Sequence, residues 1–189
     1  MSWIARIAPD AAPPELKPIY ERIKAQASSQ RVSLLWQAWG GHPAGLEAAF
    51  ASYRALMDDP APLTRAQAES IALVVSATNG CGYCVTHHGY KLARLVGEDH
   101  AHAVAMDYRE AQLPARDRVL LDTAVAITCE PGERTAGDLD RLREYGFDDA
   151  AILRLVEIAG YYGWINRVVL ALGIGLEPGL KLWSFGSQA

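Results

Sequence analysis

Apolar residues in this chain recur at the spacing of a helix. Leu46, Phe50, Tyr53 and Met57 stand at i, i+4, i+7 and i+11, one stripe down one helix face. No sustained alternation of apolar and polar residues bounded by hairpin turns appears anywhere, and Val74-Val75 lies inside a helical frame. These patterns restrict the fold to an all-α class, with about eight helices counting an N-terminal arm.

Breaks between the patterns give the organisation. The first fourteen residues are rich in Ala and Pro and read as an extended arm, with Pro13 and Pro14 suited to a helix start before 15–27. A short helix is expected within 32–39, ended by Gly40-Gly41-His42-Pro43, and another over 44–57, ended by Asp58-Asp59-Pro60-Ala61-Pro62. Thr64 is a candidate N-cap with Gln67 as its capping-box partner, so 65–78 should be a mostly buried helix. Asn79-Gly80 ends it, Cys81 opens the next, and Gly97 stops that one. Further helical patterns cover 99–106, 115–129, 136–145 and 149–173. The chain divides into residues 1–41, arm and short helices, and residues 42–189, a helical domain.

The 189 residues can bury a substantial core without disulfide staples. A net charge of −4 and an isoelectric point near 5.7 give no basic footprint for nucleic acid or for an anionic membrane. The start, Met1-Ser2-Trp3-Ile4, lacks a signal-peptide core, and apolar runs such as Ile71 to Val75 are far short of a bilayer span. A cytoplasmic, reducing location is the expectation, and there a Cys-x-x-Cys pair is catalytic or metal-binding rather than structural.

That pair is Cys81-Gly82-Tyr83-Cys84, followed by Val85-Thr86-His87-His88 and preceded by Glu69. At about 100° per residue, Cys81, Cys84 and His88 share a helix face within an arc of about 60°. A thiol is nucleophilic only as thiolate, roughly 3% of an unperturbed thiol at pH 7, and a helix N-terminus or nearby cation raises that fraction. A thiolate, a second thiol to resolve a sulfenic acid and an imidazole one turn on are what a peroxide-reducing dithiol requires. The same donors could instead hold zinc through Cys81, Cys84, His88 and Glu69, as in a zinc-binding or redox-sensing regulator.

Leu63-Thr64, Glu69, Ile71-Ala72-Leu73-Val74-Val75-Ser76, Asn79-Gly80-Cys81-Gly82-Tyr83-Cys84 and His88 resemble the alkylhydroperoxidase D-like branch of the carboxymuconolactone decarboxylase superfamily. The spacing agrees: Glu69 lies twelve residues before Cys81, and His88 four after Cys84. The resemblance implies an all-helical fold, a homo-oligomer (trimer or hexamer), and no cofactor or metal. It implies Cys84 as the peroxide-attacking thiolate, Cys81 as resolving thiol, and Glu69 and His88 as a proton relay. The partners implied are a hydroperoxide substrate and a dithiol or protein thiol reductant. One departure is Tyr83, which stands where the family's best-studied peroxidases carry His; a phenol of pKa about 10 is no base at neutral pH. The superfamily's decarboxylase and lactone chemistry needs no dithiol. No Gly-x-Gly-x-x-Gly follows a strand, so direct hydride transfer from a nucleotide is not expected.

The remaining candidates read as structural. A Glu69 carboxyl among Ala72, Leu73 and Val74 should be partly buried and in need of a partner. His87 reads as a surface or packing residue, His100 and His102 share no helix face, and His42 falls in a loop. Cys129 reads as a buried or inert thiol. Tyr161-Tyr162-Gly163-Trp164-Ile165-Asn166-Arg167 reads as core, placed by the resemblance near the cysteines or a subunit interface, and Trp183 and Phe185 are expected to dock the tail.

Overall fold

A computed structural model describes residues 2–27 and 29–188. Among them there are nine α-helices and no strand: α1 (Lys17–Gln26), α2 (Leu34–Ala38), α3 (Pro43–Met57), α4 (Arg65–Thr78), α5 (Gly82–Val96), α6 (Glu98–Asp107), α7 (Ala115–Cys129), α8 (Ala136–Glu144) and α9 (Asp149–Ala171). The all-α expectation holds, and each expected helical segment is a helix, the short one within 32–39 being the five residues of α2, capped by the Ser33 side chain. The ends of the 1–41 and 42–189 division, residues 1 and 189, lie outside the described residues. That division stays a working proposal.

The centre of the fold is α4. Every residue from Ile71 to Ala77 is buried, as are Ala68 and Glu69, and α5, α7 and α9 pack around it. A helix apolar on nearly all sides can only be stable inside such a cage. Its start is fixed as the sequence indicates: Gln67 N–H donates to Thr64 Oγ1 at 3.1 Å, and Thr64 N–H to Gln67 Oε1 at 2.9 Å. Its end turns sharply at Gly80, whose φ of +69° suits glycine, and Cys81 N–H closes the turn onto the Ser76 carbonyl at 2.8 Å. This turn folds α5 back along α4 and sets Cys81 at its start.

The N-terminal arm is tied down by Trp3 N–H to Leu172 O at 2.8 Å and Ile7 N–H to Gln37 O at 3.1 Å. The C-terminal segment after α9 straps the outer face of α5. Trp183 is buried there, stacked on His102 at 3.9 Å, with its N–H donated to Thr86 Oγ1 at 3.1 Å. Gly89 permits this approach, since a Cβ at that position would collide with the Trp183 ring. The expected docking of Trp183 and Phe185 is therefore observed, with Phe185 lying against Gly82.

Candidate active site

Three helices supply the polar groups inside this apolar cage. On α5, Cys84, His88 and Lys91 fall at i, i+4 and i+7, the face opposite the Gly82-Thr86-Gly89 groove that takes the strap. On α4, Arg65 and Glu69 stand one turn apart. On α9, Tyr162 and Asn166 are again one turn apart.

Cys81 differs from the expectation in one respect. It precedes α5 as the N-cap residue, with φ −88° and ψ 82°, rather than sitting in the first turn. Both Cys81 and Cys84 are buried and carry free thiols. Their acidities diverge. The Cys81 thiol is held below its usual value by a hydrogen bond from the Cys84 thiol, and the Cys84 and Tyr83 amides and the Asn166 amide add to this against burial. Burial pushes Cys84 well up, and the neighbouring Cys81 adds to the rise, while Asn166 and Lys91 oppose it. Cys81 is thus the first of the pair to lose its proton, and Cys84 holds its own more tightly. Asn166 is oriented by donating to Ser76 Oγ at 3.1 Å and accepting from Asn79 at 3.0 Å.

Glu69 is wholly buried and meets its need for partners twice. His88 Nδ1–H donates to Oε2 at 2.6 Å, and Arg65 donates to Oε1 from Nε at 2.9 Å and from Nη2 at 2.8 Å. Burial alone would raise its pKa; His88, Lys91 and Arg65 outweigh that and take it down to about 2. Burial pushes His88 down to about 4, and Lys91 adds to this, against the pull of Glu69. The two values compete, because Glu69 is lowered chiefly by a charge that His88 does not carry at neutral pH. We adopt an ionised Glu69 beside a neutral His88, since Arg65 and Lys91 keep the carboxylate charged without the imidazolium. With Nδ1–H given to Glu69, Nε2 is left as the basic nitrogen.

This burial sets an acid limit on stability. His88 titrates near 6.5 when unfolded and about 4 when folded, so below 6.5 the unfolded chain binds more protons and folding weakens. Glu69 adds a second loss from about 4.5 towards 2, in the same direction. Stability is full above pH 6.5, and urea denaturation should show a loss on the order of 3 kcal/mol by pH 4. Unchanged unfolding midpoints over that range would contradict the neutral buried imidazole.

A second polar cluster flanks the thiols. Glu177 of the C-terminal strap accepts from Tyr83 Oη at 2.9 Å, from His87 Nε2 at 2.9 Å and from Leu34 N–H at 2.9 Å. His87 also packs on Tyr83, with ring centroids 4.4 Å apart. Burial, then the Glu177 charge, push Tyr83 well above its ordinary pKa, so it stays a neutral phenol.

The structure brings Glu69 and His88 into contact, buries Cys81 and Cys84 at the start of α5, and turns His87 away towards Glu177. Arg65, Lys91 and Glu177 are polar partners not singled out in the sequence, and Asn166 belongs to the 161–167 segment that reads as core. Arg65, four before Glu69, carried a readable signal; Glu177, over ninety residues from Tyr83, carried none. Cys129 is a correction: it is exposed at the end of α7, not buried, because the helix ends there in solvent. His102 stacks on Trp183. Among the described residues no group of three or more His, Cys, Asp or Glu is placed to hold a metal ion. No helix among them is long and apolar enough to cross a membrane.

Residues 43–105, which include Glu69, both thiols and His88, match the carboxymuconolactone decarboxylase family. No curated protein sequence matches the chain. Among solved structures, a peroxidase-related protein from Silicibacter sp. TM1040 is 29% identical with a TM-score of 0.86, over 95% of this chain and 93% of that one. A peroxidase-related protein with an alkylhydroperoxidase core from Ralstonia eutropha JMP134 is 28% identical with a TM-score of 0.84, over 95% and 94%. The debrominase Bmp8, solved with 2,3,4-tribromopyrrole, is 19% identical with a TM-score of 0.76, over 94% and 95%, and shares the fold. With its helices superposing on the peroxidase-related proteins almost end to end and its cysteine segment inside the matched region, the chain is similar throughout to the alkylhydroperoxidase D-like branch of the carboxymuconolactone decarboxylase superfamily, and these likenesses support placing it there.

Proposed function

We propose that this chain is a thiol-dependent peroxidase, reducing hydroperoxides through a Cys81/Cys84 dithiol–disulfide cycle with Glu69 and His88 as proton relay. One observation carries the reading. A neutral imidazole on the thiol helix, one turn beyond Cys84, is held at 2.6 Å by a buried carboxylate, which leaves Nε2 free to take and return a proton.

In the proposed cycle Cys84 gives its proton to the Cys81 thiolate and attacks the peroxide. The S–O bond forms, the O–O bond breaks, and the departing alkoxide takes the proton from Cys81, giving an alcohol and a Cys84 sulfenic acid. Cys81 thiolate then attacks the Cys84 sulfur. The S–S bond forms and hydroxide leaves as water, with one proton delivered through His88. A dithiol or protein thiol reduces the disulfide and is itself oxidised to a disulfide. Arg65 fixes the carboxylate that orients His88.

A steady-state assay tests this, with hydrogen peroxide and an organic hydroperoxide against a panel of dithiols and protein thiol reductants. Turnover should come with an intrachain Cys81–Cys84 bond in peptide maps and a free Cys129. A dominant disulfide to Cys129, or no turnover with any reductant, would sink the reading.

Self-association belongs to the same proposal. Leu153, Val156, Trp164 and Leu170 expose a stripe of apolar surface along α9, with Trp164 still 45% exposed. Such a stripe favours a second copy of the chain over water. Light scattering at micromolar concentration should report a multiple of 20.5 kDa. Trp164→Glu should shift the population towards monomer, and a monodisperse monomer in the unmodified chain would contradict the expectation.

A further inference from the structure

Four fully or nearly buried tyrosines of this fold spend their hydroxyls on the protein. Tyr20 donates to Ile7 O at 2.9 Å, Tyr83 to Glu177 at 2.9 Å, Tyr108 to Asp122 at 2.9 Å and Tyr161 to Ala49 O at 3.1 Å. Tyr162 does not. It is 2% exposed, and among the described residues its hydroxyl alone is a buried side-chain polar atom without a hydrogen-bond partner. A buried hydroxyl left unpaired costs about 1–3 kcal/mol, and phenylalanine would fill the same space without that cost. The exception therefore calls for a partner that the folded chain does not itself supply.

Its position says which partner. The Tyr162 ring stands edge-on to His88, with centroids 4.5 Å apart, and the residue shares its helix face with Asn166, whose amide lowers the pKa of both thiols. The hydroxyl lies within electrostatic reach of Cys84 and Glu69, and burial raises its pKa well above the ordinary value. It is consequently a neutral donor at any working pH, and never a base. The Glu69 carboxylate is already held by His88 and Arg65, so the charge left for this hydroxyl to meet is the one that develops when a thiolate attacks and an O–O bond breaks.

We propose that the Tyr162 hydroxyl donates a hydrogen bond to the departing oxygen of the hydroperoxide as Cys84 attacks it. This inference rests on the peroxidase reading and adds to it a catalytic residue outside the Cys-x-x-Cys segment. A single donor aimed at developing oxyanion charge is typically worth about 10²–10³-fold in rate.

The test is Tyr162→Phe in the full chain, read three ways. Rates of single-turnover thiol oxidation by hydrogen peroxide and by an organic hydroperoxide should fall about 10²-fold. Alkylation of the same thiols by iodoacetamide expels iodide, needs no oxygen donor, and should keep its rate. Thermal stability should be unchanged or higher, because an unpaired hydroxyl has been removed. An undiminished peroxide rate overturns the inference alone. So does an equal fall in alkylation, which would put the effect on the thiol, or a melting temperature lowered by several degrees, which would make the hydroxyl structural. An unmodified chain no faster with peroxide than a free thiol peptide overturns the peroxidase reading and this inference with it.

Discussion

Cys84→Ser and Cys81→Ser are both expected to abolish peroxide turnover, and to fail at different steps. Without Cys81 nothing resolves the sulfenic acid, so Cys81→Ser should undergo one stoichiometric oxidation and stop, with Cys84 labelled by a dimedone-type probe. Cys84→Ser should react with peroxide no faster than a free thiol peptide. Acidity makes this a demanding expectation. Cys81 is the more acidic thiol of the pair, and a serine at 84 can still donate to its thiolate, so Cys81 should keep its lowered pKa in Cys84→Ser. Nucleophilicity falls only by about half a log unit per unit of pKa, so acidity by itself would favour Cys81 as the attacking sulfur. Position favours Cys84: His88 is one turn away on its face of α5, and Lys91 and Tyr162 lie within electrostatic reach of it. The signature is therefore a variant with the more acidic thiol and the slower peroxide reaction. A probe that labels Cys81 in Cys84→Ser and nothing in Cys81→Ser would exchange the two roles.

Legibility in the sequence followed the range of each interaction. The capping box at Thr64 and Gln67 is encoded within four residues, and α4 begins where those residues place it. The bounds of α7, Ala115–Cys129, coincide with its helical pattern for the same local reason. Glu69 was readable as a buried acid in need of a partner because its apolar neighbours are adjacent in sequence. Of its actual partners, Arg65 was readable one turn back on the same helix, whereas contact with His88 required knowing that α5 folds back along α4. Cys81 was legible as a site residue but not as an N-cap, since the turn at Gly80 consumes one more residue than a helix-to-helix reading allows. The Glu177 contacts with Tyr83 and His87 close across the whole domain, and nothing local in the tail announces them. Tyr162 read as core by composition, and only its unpaired hydroxyl separates it from Tyr161.

Two adjacent histidines provide the second large effect. His88→Ala is expected to slow the peroxide reaction about 10²–10⁴-fold, the range for a positioned acid–base group, and His87→Ala far less. His88 is buried and gives Nδ1–H to Glu69 at 2.6 Å, so its Nε2 is the one basic nitrogen on the thiol face of α5. His87 points to the flank, where Glu177 takes its Nε2 at 2.9 Å; its loss should loosen the C-terminal strap without removing a proton carrier. His88→Ala also opens a cavity beside a buried carboxylate, and a slower enzyme could then reflect only a disturbed site. His88→Gln separates the causes. Its side-chain amide can still donate to Glu69 and fill much of the space, but it cannot accept and return a proton at neutral pH. If His88 relays protons, His88→Gln should be folded by circular dichroism and as slow as His88→Ala. Recovery of most of the rate in His88→Gln would reduce His88 to a structural partner of Glu69, and equal, small losses in the His87 and His88 alanine variants would leave neither imidazole in the proton path.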